Sequence, residues 1–206
     1  MASIKLIVTL RQNLAAKYSK ADLTKLDKLI KAWIQADAQR GITSHCVALD
    51  DAADMGKFAA APLAGVPTPQ KVKRKIDQLW KLLSPDYLVL LGAQDVVPMF
   101  EVPNPSYDPK GDDDTVVPTD NPYACSAPFE DGDIQSYLVP DRVVGRIPDM
   151  VADSSLDWLR TYLDTAIAHT PQPAGHYADL YAICCDEWRR AGEETAQYLG
   201  HPRSGV

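Results

Sequence analysis

Short apolar runs that alternate with longer stretches of helical periodicity constrain this chain more than any other feature. Tyr87–Leu91 is the clearest run, apolar on both faces, as a central parallel strand has to be. Ile4–Leu10, rich in β-branched residues, reads as a further strand, as do Thr43–Leu49, with Cys46 in its middle, and Val143–Ile147. Between the first two, the spacing of Leu23, Leu26, Ile30, Trp33 and Asp37 predicts a helix from about Lys20 to Arg40, four of the five being apolar, with Gly41 as its stop. Thr68-Pro69 supplies an N-cap and a first-turn proline for a second helix striped with Val72, Ile76, Leu79, Trp80 and Leu83 and broken at Ser84-Pro85. A third begins near Ser154, with Asp157 at the capping-box position and Leu156, Leu159, Leu163, Ala166 and Ile167 on one face. Strand–helix alternation of this kind implies an α/β fold, an open and mostly parallel sheet covered by helices on both faces.

Two stretches escape this pattern. Asp50–Pro67 is rich in Ala, Gly and Pro and reads as a loop with at most a short helical turn. Ala93 to about Ser136 holds many of the 16 prolines and reads as a long irregular section. Past the linker Pro171–Gly175, Leu180–Cys184 is expected to be a strand and Glu187–Leu199 a helix. That unit is too small to fold alone, so the expected division is a leading subdomain over 1–170 and the start of a second over 171–206.

Composition narrows the function classes. A net charge of −7 and a pI of about 5.0 argue against nucleic acid as a partner. Lys71, Lys73, Arg74 and Lys75 cluster, but on a predicted helix, where they read as its solvated face. The N-terminal apolar run is interrupted by Lys5 and ended by Arg11, so it is neither a signal peptide nor a membrane span. Four cysteines (Cys46, Cys125, Cys184 and Cys185) form no C-x-x-C pair, which points away from a zinc knuckle and towards free thiols in a reducing cytoplasm. Neither a G-x-S-x-G elbow nor a glycine-rich phosphate or dinucleotide loop occurs, so no cofactor is expected.

Three segments in order carry a resemblance: Asp86-Tyr-Leu-Val-Leu-Leu-Gly92 with Asp95-Val-Val-Pro98, Thr119-Asp120-Asn-Pro-Tyr123-Ala124, and Pro140-Asp-Arg-Val-Val-Gly145-Arg146-Ile147-Pro148 before a helix. Together they resemble the leading part of gingipain-type cysteine peptidases. That resemblance implies a caspase-like leading subdomain plus the first strand–helix of a catalytic one. It also implies a cysteine nucleophile and a histidine base, on later strands, because a thiolate must attack the peptide carbonyl while an imidazole handles the protons.

Neither catalytic residue is expected here. His45, His169, His176 and His201 are none of them followed by glycine, unlike the family's Gly-His-Gly. Cys184 and Cys185 come too early in the pattern, and Cys184 reads better as a buried structural thiol. By resemblance, Asp186 and Glu187 are the substrate-binding candidates, beyond a strand end where they could face a basic side chain; exposed helix-start carboxylates are the plainer alternative. Asp112-Asp113-Asp114 lacks EF-hand spacing and reads as a solvated acidic turn, so no metal site is expected. Arg146 is expected to be scaffold, paired bidentately with Asp120 or Asp95.

The expected function is the scaffolding and substrate-groove part of a caspase-like cysteine endopeptidase, inactive alone. Its partners would be the remainder of the peptidase, carrying the catalytic segment, and a protein or peptide substrate, with no nucleic acid and no membrane. The alternative is a non-catalytic protein-interaction domain derived from the same fold.

Overall fold

The computed structural model describes residues 3–129, 134–178, 184 and 186–200, with Tyr177, Ala178 and Glu187 described for their backbone alone. Its residues fall into two compact units, Met1–Ala168 and His169–Val206.

In the first unit β1 (Ser3–Thr9) leads into α1 (Arg11–Lys17) and α2 (Lys20–Gln39), then β2 (Ile42–Ala48), α3 (Ala52–Gly56), α4 (Pro69–Leu83) and β3 (Tyr87–Leu91). An excursion follows, holding β4 (Phe100–Pro103) and β5 (Val116–Thr119), before β6 (Val143–Ile147) and α5 (Asp157–Ala168) complete the unit. The four long strands form one parallel sheet in the order β2-β1-β3-β6. The chain moves outward from β1 to β2 and then crosses back to β3. Right-handed crossovers in opposite directions place α2 and α4 on opposite faces of the sheet. The α/β class and the parallel sheet follow the sequence reading. Among the described residues no helix is long and apolar enough to cross a membrane.

The central strands are buried because both faces are covered: Leu6, Ile7, Val8, Leu88, Leu90 and Leu91 are almost wholly inaccessible. Ser19 caps α2 through Asp22 N–H, and Thr68 caps α4 through Lys71 N–H. The helix expected from Ser154 starts at Asp157 instead, because Ser155 Oγ accepts from Asp157 N–H and sets the first turn there.

Helix α1 and the β4–β5 pair were not foreseen. The seven-residue α1 has no local side-chain cap; its first amides, Arg11 and Gln12 N–H, donate at 2.7 and 2.8 Å to Asp50, a residue from the far end of β2. The section expected to be irregular contains an antiparallel pair, with Phe100 opposite Thr119 and Pro103 opposite Val116. Asp37 is buried on the core face of α2 because it accepts from Lys5 (2.8 Å), Arg40 (2.8 Å) and Ser44 (2.5 Å). Burial opposes its charge, but those three donors outweigh it and hold the carboxyl below its ordinary range.

One reading of the basic cluster is corrected. Lys73 is not on a solvated face but is 1% exposed. It lies three residues before Ile76 and so shares the inward stripe, where its Nζ donates to Cys125 O at 2.8 Å and pairs with Asp77 at 3.1 Å.

The second unit contains a 3-10 turn at Ala174–Ala178, another at Asp186–Trp188 and the helix α6 (Arg189–Tyr198). The helix expected from Glu187 therefore starts two residues later, after that turn. The strand expected at Leu180–Cys184 lies, apart from Cys184, outside the described residues. Cys184 is exposed, which corrects the reading of it as a buried thiol.

Candidate functional site

Open parallel sheets place their ligands and catalytic groups beyond the carboxyl ends of the strands, next to the point where the strand order reverses. Here that point lies between β1 and β3. Gly92 makes the turn out of β3 with φ at +115°, and a Cβ there would fall 2.5 Å from the Val96 Cβ, so only glycine fits. Its N–H donates to Ile147 O at 2.9 Å, and Thr9 Oγ1 donates to Leu91 O at 2.9 Å, tying the ends of β1, β3 and β6 together.

Arg146 is the hub of this edge. Its Nε and Nη2 grip the Asp120 carboxylate at 2.8 and 2.6 Å, and Nη1 donates to Gly92 O at 2.7 Å and to Val97 O at 2.9 Å. Every arm of the guanidinium is engaged, and the pairing is the bidentate one that suits arginine and not lysine. Of the two carboxylates considered for it, Asp120 is the partner. Asp95 serves Lys17 instead, at 2.8 Å. Tyr123, close by, donates its hydroxyl to Pro98 O at 2.7 Å and is wholly buried.

A second polar group stands beside the hub. Lys17 bridges Asp95 and the buried Asp149 (2.9 Å), and Asp149 also accepts from Ala93 N–H at 2.6 Å and from the Tyr18 hydroxyl. Burial works against the Lys17 ammonium, yet the two carboxylates raise its pKa above the ordinary value. Burial likewise opposes ionisation of Asp95, and Lys17 together with Ala152 N–H outweighs it and lowers its pKa. Tyr18 is pushed up, by burial first and then by Asp149. The shifts of Lys17, Asp95 and Tyr18 all favour the charge states these groups ordinarily hold at neutral pH, which suits a rigid frame better than proton transfer.

The described thiols of the first unit are not prepared for attack. Burial first, and then the Asp54 charge, pushes Cys46 up to about 12. Cys125 is also raised by burial, and its sulfur faces Val139 O at 3.8 Å. A nucleophile needs the opposite environment. His45 precedes Cys46 on one strand, so the two side chains take opposite faces, and its ring packs edge-on against Phe58 at 5.8 Å. His169 and His176 are exposed in the second unit. His201 and Cys185 lie outside the described residues.

Asp186 opens the short turn before α6, is exposed, and pairs with Arg189 three residues on. Glu187 occupies the same turn, and its side chain lies outside the described residues. In the acidic triplet, Asp112 Oδ1 accepts from Asp114 N–H at 3.3 Å, and the Asp112 carbonyl accepts from Asp108 N–H at 2.7 Å, the contacts of a self-bonded turn.

The Lys73–Asp77 pair and the Lys17 bridge were not anticipated. The first had a signal, the placement of Lys73 at helical spacing from Ile76, Trp80 and Leu83. The second joins residues more than seventy positions apart and left no local trace.

No protein-family model matches the chain, and no curated protein and no solved structure resembles it at a significant level.

Proposed function

We propose that this chain forms the scaffolding and substrate-groove part of a caspase-like cysteine endopeptidase whose nucleophile and base come from another segment. One observation carries the reading. The three sequence segments that resemble gingipain-type peptidases are far apart in the chain, yet a single side chain joins them: Arg146 of the third segment holds Gly92 and Val97 of the first and Asp120 of the second. Spacing kept across such separate stretches makes sense if they build one edge of one sheet. The raised thiols of Cys46 and Cys125 accord with a scaffold that leaves attack to a cysteine elsewhere.

In this reading the substrate is a peptide or protein, and Asp186 with Glu187 would meet a basic side chain, which would take the place of Arg189 on Asp186. The free thiols of Cys46, Cys125 and Cys184 accord with a reducing compartment such as the cytoplasm.

The test has two arms. The purified chain, given a peptide library, should show no cleavage that a thiol-alkylating reagent abolishes. Produced together with the rest of the peptidase read from its own gene, it should show such cleavage, and Asp186→Asn should weaken cutting after basic residues. Thiol-dependent turnover by the chain alone, or none in the joined protein, sinks the reading.

The exposure of Leu138, Val139, Val143, Met150 and Val151 around β6 favours a second reading, a non-catalytic module that binds another protein through this side. A gene that encodes no downstream histidine and cysteine would favour it.

A further inference from the structure

The first unit contains a cavity of about 360 Å³ that the peptidase reading does not use. It opens over the carboxyl ends of β1 and β2, where Thr9 and Ala48 pair in register as the last residues of their strands. A volume near the lower end of the range for ligand pockets suits a small molecule. Its floor is apolar, built from Leu14 of α1, Leu23, Leu26, Ile30 and Ile34 of α2, and Cys46 of β2. Leu23 and Ile34 stay only half buried, although they share a side of α2 with core residues, because the cavity lies in front of them. Cys46, with its thiol held protonated by burial, is one more apolar wall.

The rim differs sharply from the floor. Arg11, Lys31 and Lys57 stand around it with Asp27 and Asp54. Asp54 is fully engaged, accepting from Ala48 N–H at 3.0 Å and from Lys57 at 2.7 Å. Asp27 holds Arg11 loosely, at 3.3 Å. Lys31 has no carboxylate partner among the described residues. In a chain of net charge −7, this mouth keeps a surplus of positive charge above an oily floor.

We propose that the cavity binds a small amphipathic carboxylate, a medium-chain acyl acid, with its apolar body on the α2 floor and its carboxylate on Arg11 and Lys31. The ligand carboxylate would replace Asp27 on Arg11 and give Lys31 the counter-ion it lacks. A neutral ligand would fill the floor but leave the cations as they are.

Sodium octanoate is the probe, titrated into the full chain and followed by amide NMR shifts. Saturable shifts are expected at Leu14, Ile30 and Ala48. The neutral isostere octanol should bind roughly tenfold more weakly, and Lys31→Glu should weaken octanoate by a similar factor, which corresponds to the gain or loss of one charged contact. Asp27→Asn should tighten binding severalfold by freeing Arg11. Ile34→Trp should fill the space and abolish it. Lys31 and Asp27 lie away from the core, so those two variants test the idea even if Ile34→Trp does not fold. The proposal is overturned if no shift saturates by about 5 mM, if octanol matches octanoate, or if the saturating shifts map elsewhere.

Discussion

Arg142, just before β6, and Arg146, inside it, are four residues apart and nearly equally buried, with side-chain exposures of 5% and 9%. Their surroundings differ. Arg146 has one carboxylate to itself and two carbonyls for the remaining arm, so charge and hydrogen bonds balance. Arg142 must share Asp77 with the buried Lys73, which leaves two cations on one carboxylate. Its Nε is buried without a partner among the described residues. Part of the surplus is met by the Trp80 ring, 4.6 Å from the guanidinium, and part by the Cys125 carbonyl on Lys73. Burial pushes Lys73 below its usual pKa; Asp77 opposes that shift and Arg142 adds to it. Equal burial thus conceals two different electrostatic situations, one balanced and one over-charged.

Asp77→Asn should strain the difference most. It strands two buried cations at once, and a loss of about 4 kcal/mol is expected in urea unfolding. A loss under about 1 kcal/mol would mean that Lys73 is neutral or that water reaches the pair. Arg146→Ala should cost about 3 kcal/mol, because Asp120 and the carbonyls of Gly92 and Val97 lose their donor together. Arg146→Lys should restore only part of this, since an ammonium cannot hold the carboxylate with two parallel bonds. If the lysine variant is as stable as the parent, the fork geometry is irrelevant.

Acid should separate the carboxylates held in their charged form from the Lys73 group more gently. Asp37 and Asp95 have lowered pKa values in the folded chain, so their contribution is present above the unfolded value of about 3.9 and disappears as pH falls through the folded one. Denaturation midpoints should be flat from neutrality to mild acid and then fall, and Asp37→Asn should blunt the fall. Lys73 works on the other limb. Its folded pKa is depressed, so stability should increase as pH rises through that value towards the unfolded one of about 10.4. Lys73→Met should have the smallest effect, within about 1 kcal/mol either way, because the surplus charge and the bond to Cys125 O are lost together. It should also remove the alkaline rise; if that rise persists, another group is its source.

The same contrast shows what could be read from the sequence. Strands β1, β2, β3 and β6 and helices α2, α4 and α5 were legible because each carries its own periodicity and, for α4, its own cap at Thr68. Helix α1 was not, since its cap is Asp50, about forty residues away. The β4–β5 pair was hidden by Pro103 and Pro118 and by the 12-residue stretch 104–115 between its strands. The Arg146–Asp120 pairing could be named because a buried guanidinium between apolar strand residues needs a carboxylate, and Asp120 and Asp95 stand in the segments that carry the resemblance. Choosing Asp120 over Asp95 required coordinates, since only they show that Lys17 already occupies Asp95. The cavity beside α2 was illegible because half-buried Leu23 and Ile34 look, as letters, the same as core residues.

The place of β6 in the sheet has a consequence for how the chain is assembled. Strands β1, β2 and β3 are complete before residue 92 has been made, whereas the guanidinium that fastens Gly92, Val97 and Asp120 arrives more than fifty residues later. During synthesis the segment 93–142 is therefore without its Arg146 fastening, held to the nascent three-stranded platform by contacts such as Lys17–Asp95 and Lys73–Cys125, until β6 docks beside β3. Docking and the fastening of that loop would then be a single late event, so a ribosome-stalled chain released just short of Arg146 should have a folded platform and a protease-sensitive loop.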